Sequence, residues 1–252
     1  MVPLLSGAMA AFIAASGCSS DDATDARAAG VASSVAPTPV IVDYSPTLSD
    51  VPALMFLATR PDVELLAVTL PGTGESDCVP GVRNTRALLE IAGHPDVPVA
   101  CGPETPMEGD RDWPLGFREA SRNLHGVVLP FVDDADPIDA VELLADTLRG
   151  AAEPVTLVTL GPLTNLGYAF DADPTLATEV RSIVTMGGAF DVPGNVFDAD
   201  EIVGASPDAE WNLYIDPESV RVVLDSGAPI TFVPLDATNA VPGNIGIFAR
   251  LG

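Results

Sequence analysis

The sequence predicts an α/β protein with a mainly parallel, Rossmann-like sheet flanked by helices, and three observations lead to this prediction. Short β-branched runs alternate with stretches whose apolar residues recur at helical spacing, as in a parallel sheet covered by helices. The chain has 252 residues and is 47% hydrophobic, which is enough for a sizeable core. The loops expected after the strands are rich in Gly, Asp, Asn and Thr. No internal repeat is visible, and one folded domain accounts for the pattern.

The first half of this domain is predicted to contain three strands and two helices. A β-branched run at residues 39–42 predicts the first strand, and the apolar stretch 51–58 predicts the helix that follows it. Residues 63–69 are expected to form the second strand, which completes a βαβ unit. Apolar residues at helical spacing then predict a helix over 81–92, and residues 97–100 are expected to form the third strand.

The second half repeats the alternation of helices and strands. An Asp-Pro start predicts a helix over residues 137–148. Residues 154–160 have the composition of a buried strand, and the turn GPLTNL leads from this strand into the next helix. The remaining predicted elements are a strand at residues 182–185, a helix at 217–225 and a last strand at 229–234.

The N-terminal segment has the features of an export signal. The first eighteen residues form an apolar run that ends in small residues before a cysteine. The ending AASGC resembles a bacterial lipobox, in which Cys18 becomes lipidated and anchors the protein outside the cytoplasmic membrane. Because no positive charge begins the run, a plain cleaved signal peptide is the alternative. Residues 19–38 predict a flexible tether, and the folded domain is expected to span residues 39–252.

The charge of the chain restricts its partners. Its formal net charge is -25, from 36 acidic and 11 basic residues, and every basic residue is arginine. Such a charge repels nucleic-acid backbones and anionic lipids. We therefore expect no nucleic-acid partner and no membrane contact other than the lipid anchor. Neutral small molecules and hard cations such as calcium remain compatible with this charge.

Ligands of open α/β sheets bind beyond the carboxyl ends of the strands. Several sequence stretches that include predicted strand ends of this chain occur together in a specific order. These stretches are VIVDYSPTLSDVPAL, GVRNTRALLEIAGHPDVPV, LVTLGPLTNL, IVTMGGAF followed by PGN, AEWNLYIDPESV and PITFVPLDATN. They cover residues 39–239 and resemble the inosine-uridine preferring nucleoside hydrolases. The resemblance implies the nucleoside hydrolase fold and hydrolysis of the N-glycosidic bond of a ribonucleoside. It also implies a calcium ion that holds the ribose diol and the attacking water.

The ribose-binding residues of the family are matched in this chain. Asn195 of PGN, together with Glu210 and Asn212 of AEWN, corresponds to the set that binds the sugar. Glu210 and Asn212 are two residues apart, and in an extended segment both side chains would lie on one face. The resemblance also implies a catalytic role for Asn195 and assigns the backbone carbonyl of Thr164 to the metal.

The first loop departs from the family pattern DTDPGxDDA. Asp43 and Asp50 match its first and last carboxylates and are the expected metal ligands, with a catalytic role for Asp50. Ser45 replaces the carboxylate that binds calcium and acts as base, and Ser49 replaces one that holds a ribose hydroxyl. Because calcium affinity depends on the number of charged ligands, we expect a weakened calcium site. Glu75 stands about where many members carry Asn, and it is a further candidate for substrate binding.

The C-terminal part of the family is expected to be missing from this chain. Family members continue beyond the PLDAT strand into a His-Asp pair that supplies the leaving-group acid and another calcium ligand, whereas this sequence ends at Gly252. His125 resembles a family histidine near the substrate, and a structural role is the equal alternative. His94 precedes a proline and is expected in a surface turn. The chain is either a fragment or a degenerate member of the family.

Two of the three cysteines are candidates for a disulfide. Cys78 lies at the start of a predicted helix, and Cys101 lies at the end of the strand that follows it. In a βαβ arrangement both positions are at the same edge of the sheet, and an exported protein meets an oxidising compartment. A disulfide between Cys78 and Cys101 is therefore expected, with two buried free thiols as the alternative.

Two functions from different classes are compatible with these residues. The first is a nucleoside N-ribohydrolase, and the alternative is a non-catalytic lipoprotein that binds nucleosides or ribosides. Trp113, Phe117 and Trp211 are candidates to stack on a base, although aromatic residues in such loops commonly serve as packing anchors. Neither the preferred base nor the number of chains follows from the sequence, and a homo-oligomer remains open.

Overall fold

A computed structural model of the chain describes residues 36–133, 138–196 and 205–241, apart from the side chain of His125. All of these residues belong to one unit of the chain, residues 35–252. The predicted signal peptide, Cys18 and all but the last residues of the predicted tether lie outside the described residues. Thr38, predicted to end the tether, is already the first residue of a strand.

The described residues form a sheet of six parallel strands, which confirms the predicted fold class. The strands are β1 (Thr38–Asp43), β2 (Val63–Leu70), β3 (Val99–Cys101), β4 (Val155–Thr159), β5 (Val180–Met186) and β6 (Ile230–Val233). Their order across the sheet is β3-β2-β1-β4-β5-β6. Strand β1 thus lies in the middle of the sheet, β2 and β3 extend one half, and β4 to β6 extend the other half from beside β1. The loops after β1 and β4 diverge at this point, which is where open α/β sheets form a ligand crevice.

Within the described ranges, eight α-helices connect and flank these strands. They are α1 (Val51–Ala58), α2 (Cys78–Ala92), α3 (Leu115–Ser121), α4 (Ala140–Gly150), α5 (Thr164–Ala172), α6 (Trp211–Ile215), α7 (Pro217–Asp225) and α8 (Leu235–Thr238). The predicted bounds of α1 and α7 agree with the structure. No helix within the described ranges is both long and apolar enough to span a bilayer.

Several predicted boundaries differ from the structure for local reasons. Helix α4 begins at Ala140, because the Asp139 side chain accepts hydrogen bonds from the backbone N–H groups of Val141 and Glu142. Helix α2 starts three residues before the predicted position, and β3 covers residues 99–101 where 97–100 were predicted. Helices α3, α6 and α8 were not predicted, because seven residues or fewer show too little periodicity to be recognised.

The core lies on both faces of the sheet. Successive side chains of a strand point to opposite faces, and β1 follows this rule. Ile41 packs with α4, α5 and α7 on one face, whereas Val40 and Val42 pack with α1 and α2 on the other. On this second face, α1 and α2 cover β1, β2 and β3, whereas Val158 within β4 and Val184 within β5 line the cavity described below.

Cys78 and Cys101 form a disulfide, so the structure has the predicted pair and not the two free thiols. The bond joins the N-terminus of α2 to the end of β3. The segment between β2 and α2 includes Glu75, which lines the cavity described below.

Loss of this disulfide is expected to lower the free energy of unfolding by about 3 kcal/mol, because it closes a loop of 23 residues in the unfolded chain. Urea unfolding of the oxidised and reduced protein measures this difference. A double variant, Cys78→Ser with Cys101→Ser, should match the reduced protein and should not respond to reductant. Equal midpoints for the oxidised and reduced protein would show that the bond contributes no stability.

Candidate active site

A cavity of about 700 Å³ lies at the carboxyl edge of the sheet. Its wall includes Ser45 after β1, Glu75 after β2 and Leu160 after β4, together with Met186 and Val233 at the ends of β5 and β6. This volume falls within the usual range for small-molecule sites. The fold therefore concentrates the loops of five strands around one candidate binding site.

The three residues predicted to bind ribose all line this cavity. Asn195 Oδ1 accepts a hydrogen bond from the backbone N–H of Trp211 at 3.0 Å. Asn212 Nδ2 donates to the backbone carbonyl of Met186 at 3.1 Å. Because each amide is held by the backbone at one end, both side chains keep a defined orientation toward the cavity.

Glu210 is the N-cap of α6, so the extended segment expected for Glu210 and Asn212 is wrong. Its carboxylate accepts hydrogen bonds from the backbone N–H groups of Asn212, Leu213 and Gly188, at 3.0 to 3.2 Å. The helical turn that α6 starts here, and not strand alternation, brings Glu210 and Asn212 to one wall. Burial raises the pKa of Glu210, and the three backbone donors oppose that rise.

Gly194 allows the PGN turn to approach the segment before α6. A Cβ atom at this position would lie 2.0 Å from the carbonyl oxygen of Ala209, a distance at which atoms overlap. The backbone N–H of Asn195 donates to the same carbonyl at 2.9 Å. The absent side chain is therefore what lets Asn195 reach the cavity wall.

The variant Gly194→Ala is expected to weaken ribose binding at least about tenfold and to destabilise the domain by about 2 kcal/mol, because the two segments must separate. Calorimetry with D-ribose and urea unfolding measure the two effects. Gly150→Ala is the matched control, since a Cβ there meets no atom within 4 Å. Wild-type affinity in Gly194→Ala would contradict this role.

The first loop contributes two residues of the predicted site to the cavity, Ser49 and Asp50. Ser49 Oγ donates to Asp50 Oδ1 at 3.1 Å and is 2.7 Å from Thr47 Oγ1. Burial raises the pKa of Asp50 to about 7, and the negative charge of Glu75 adds to this rise. Asp50 and Glu75 therefore interact electrostatically across the same cavity.

Glu75, a predicted substrate-binding residue, lines the cavity next to the first loop. The backbone N–H of Glu75 donates to Ser45 Oγ at 3.2 Å. Ser121, on α3, donates from its hydroxyl to Glu75 Oε1 at 2.8 Å. Sequence reasoning missed Ser121, because nothing in the local pattern of α3 relates it to a loop 46 residues earlier.

The other predicted metal ligands, Asp43 and Thr164, are buried and do not line the cavity. Asp43 Oδ2 accepts hydrogen bonds from Thr69 at 2.6 Å and from Asn165 at 2.7 Å. Burial raises the pKa of Asp43 to about 7, although both hydrogen bonds lower it. The Thr164 hydroxyl donates to Asp216 Oδ2 at 2.8 Å.

The residues of this region do not fit a tight calcium site. Calcium takes six to eight oxygen ligands and binds tightly where several are carboxylates. Asp43 Oδ1 is buried without a hydrogen-bond partner, which is the feature most compatible with a cation. However, no group of three His, Cys, Asp or Glu side chains within the described ranges could hold a metal ion. Ser45 and Ser49 supply hydroxyls where the family supplies charge.

Three aromatic side chains form a further part of the cavity wall. Trp113 and Trp211 stack with ring centroids 4.6 Å apart and an interplanar angle of 18°. Phe117 packs against Trp113 at 5.9 Å and against Trp211 at 6.1 Å. The three rings thus pack on one another, and all three also line the cavity. Each can therefore serve as a packing anchor and still contact a ligand.

Of the two histidines, only His94 has a described side chain. His125 belongs to a 3₁₀ helix, Leu124–Gly126, and its side chain is outside the described part of the chain. His94 lies in the exposed turn after α2, as predicted.

Comparison with known proteins extends the match beyond single motifs. The sequence pattern of the inosine-uridine preferring nucleoside hydrolases matches residues 40–248. The chain is 35% identical over 202 residues to the pyrimidine-specific ribonucleoside hydrolase RihA of Salmonella enteritidis. The matched residues make up 80% of this chain and 61% of that protein. It is also 36% identical over 200 residues to uridine nucleosidase 1 of Arabidopsis thaliana, and this match covers 79% of this chain and 56% of that protein. The chain thus spans about three fifths of the length of these relatives.

Solved structures share the fold. A plant nucleoside hydrolase superposes with a TM-score of 0.69 at 32% identity, over 81% of this chain and 62% of its own. An inosine-uridine preferring nucleoside hydrolase from Bacillus anthracis superposes with a TM-score of 0.71 at 26% identity, over 84% and 70%. Because the sequence match runs through nearly all of the described residues and the sheet is shared, the chain belongs to the inosine-uridine preferring nucleoside hydrolase family.

Proposed function

We propose that this protein hydrolyses the N-glycosidic bond of ribonucleosides and releases free ribose and base. The observation that carries the proposal is the presence of Asn195, Glu210 and Asn212 on the wall of one cavity at the carboxyl edge of the sheet. Relatives named for pyrimidine and uridine nucleosides support uridine as the first substrate to test. Inosine, which the family description also names, is the second.

The side chains of the cavity suit the charge that develops during this reaction. As the bond to the base breaks, the ribose becomes oxocarbenium-like and gains positive charge. The carboxylate of Glu210 stabilises a charge that exists only in the transition state, and this is the kind of interaction that accelerates the chemical step. Its hydrogen bonds to Asn212, Leu213 and Gly188 keep it in place before the substrate arrives.

Positioning of the substrate is divided between polar and aromatic groups. Asn195 and Asn212 offer amide groups to the sugar hydroxyls, and both amides are already oriented by the backbone. Trp113, Phe117 and Trp211 supply the apolar part of the wall, which suits a planar base. A weak affinity for calcium belongs to the proposal, since Asp50 is the one predicted metal ligand that lines the cavity.

Release of ribose from uridine and inosine by the purified full chain tests this function. A reducing-sugar assay in the presence of calcium, and a parallel assay with EDTA, should both detect ribose above the rate without enzyme. No ribose from either nucleoside in calcium would overturn the proposal.

The alternative function is a nucleoside- or riboside-binding protein without catalysis. The serines at positions 45 and 49, which replace two carboxylates of the family, favour this alternative. It would give uridine or ribose binding by calorimetry without any release of ribose. For either function we propose export and a lipid anchor at Cys18, which mass spectrometry of the mature protein can test.

A further inference from the structure

Among the described residues, three acidic side chains line the cavity, and two of them accept hydrogen bonds from neighbouring residues of their own segments. They are Asp50, Glu75 and Glu210. Glu210 accepts three backbone N–H groups as the cap of α6, so taking up a proton there would weaken those bonds. Asp50 accepts a hydrogen bond from the neighbouring Ser49 and directly precedes α1.

Glu75 is placed differently from the other two acids. Its backbone N–H is 3.2 Å from Ser45 Oγ, the atom that stands where the family pattern has its carboxylate base. Gly74 allows this close approach, because a Cβ at Gly74 would lie 2.1 Å from the same Oγ. Glu75 itself lines the same cavity as Ser45, so the loop after β2 brings a carboxylate residue to a wall that the first loop also forms.

The orientation of the Glu75 carboxylate is set from a third element. Ser121 at the end of α3 donates its hydroxyl to Oε1 at 2.8 Å. Ser121 is fully buried, so the donor of this hydrogen bond has a fixed place in the fold, whereas Glu75 is half-buried at the cavity wall. Asp50 and Ser45 line the same cavity as Glu75.

We propose that Glu75 is the general base of this protein and takes over the role that the family pattern gives to a carboxylate at position 45. The proposal rests on the proposed hydrolase function and adds the identity of the residue that activates water. It concerns residues of this chain, which has a serine at position 45 and a glutamate at position 75.

The step balances with water as the second reactant. Glu75 accepts one proton of the water, and the water oxygen forms a bond to C1′ of the ribose. The bond between C1′ and the base nitrogen breaks, its electron pair stays on that nitrogen, and the nitrogen takes up a proton from solvent. Glu75 then returns its proton to solvent, which leaves ribose, free base and the original carboxylate.

Steady-state kinetics of the full chain with uridine tests the assignment. Glu75→Gln is expected to lower kcat by about 100- to 1000-fold, because a general base contributes in this range, and to change KM by less than about threefold. Glu64→Gln, at an exposed position in the first half of β2, is the matched control and should keep the wild-type kcat.

Chemical rescue separates catalysis from folding. Glu75→Ala should regain at least about tenfold in kcat when formate is added, whereas formate should leave the wild type unchanged, since only the variant lacks a carboxylate at this place. A kcat near wild type in Glu75→Gln, or a loss in Glu75→Ala that formate does not restore, would overturn the assignment of the base. Absence of ribose release by the wild type would overturn the hydrolase function itself, and the base with it.

Discussion

Replacing Glu210 with alanine is expected to lower ribose release about 1000-fold and to destabilise the domain by about 4 kcal/mol. The loss of rate follows from removing a charge that stabilises the transition state. The loss of stability follows because Asn212, Leu213 and Gly188 each lose the acceptor of a backbone N–H, and an unsatisfied buried donor costs about 1 to 3 kcal/mol. Urea unfolding and a ribose assay measure the two effects.

The control for this variant is Glu90→Ala, which removes the same side chain from an exposed position near the end of α2. It should change the free energy of unfolding by no more than about 0.5 kcal/mol, and it should leave the rate of ribose release unchanged. A Glu210→Ala protein with the stability of the wild type would mean that the cap of α6 is dispensable. If it also released ribose at the wild-type rate, Glu210 would have no part in the reaction.

Replacing Ser45 with aspartate is expected to tighten calcium binding about 1000-fold, from a dissociation constant of about 1 mM or weaker to the micromolar range. The new carboxylate would share the cavity with Asp50 and Glu75, and carboxylates that jointly face one cation set its affinity. Ser45 lines the cavity, so the longer side chain has space to extend into it. Calorimetric titration with calcium chloride measures the change.

A carboxylate placed elsewhere should not have this effect. Thr178→Asp adds the same charge at an exposed position after α5, away from the cavity wall, and should leave calcium affinity unchanged. Titration with magnesium should give a smaller gain in Ser45→Asp, because magnesium keeps its water ligands more strongly. Equal gains in both variants would indicate a general effect of charge, and no gain in Ser45→Asp would place the calcium ligands elsewhere.

The pattern of the chain was sufficient to predict the sheet and its family, since both depend on local signals. Buried parallel strands are runs of β-branched residues, and the bounds of α1 and α7 follow from helical spacing and a proline near each start. The motifs that carry Asn195 and Glu210 are short and contiguous, so they were recognised without coordinates. Helices of a turn or two, such as α6 at Trp211–Ile215, escaped because their length hides any period.

The composition of the site depended on contacts between distant parts of the chain. Asp43 ends β1 beside other loop residues, yet its carboxylate turns to Thr69 and Asn165 and does not line the cavity. Ser121 reaches Glu75 across 46 residues of sequence. Side-chain direction at a strand end follows from the hydrogen bonds that neighbouring elements offer, and those neighbours exist only once the sheet has assembled.

The sequence by itself determined the fold, the family and the chemical types of the ribose-binding set, because these are written in local periodicity and short motifs. The tertiary structure decided which acids share a cavity: Asp50, Glu75 and Glu210 line it, whereas Asp43 does not. The physical reason is that a carboxylate is directed by the donors around it, and for Glu75 and Asp43 these donors come from other elements of the fold.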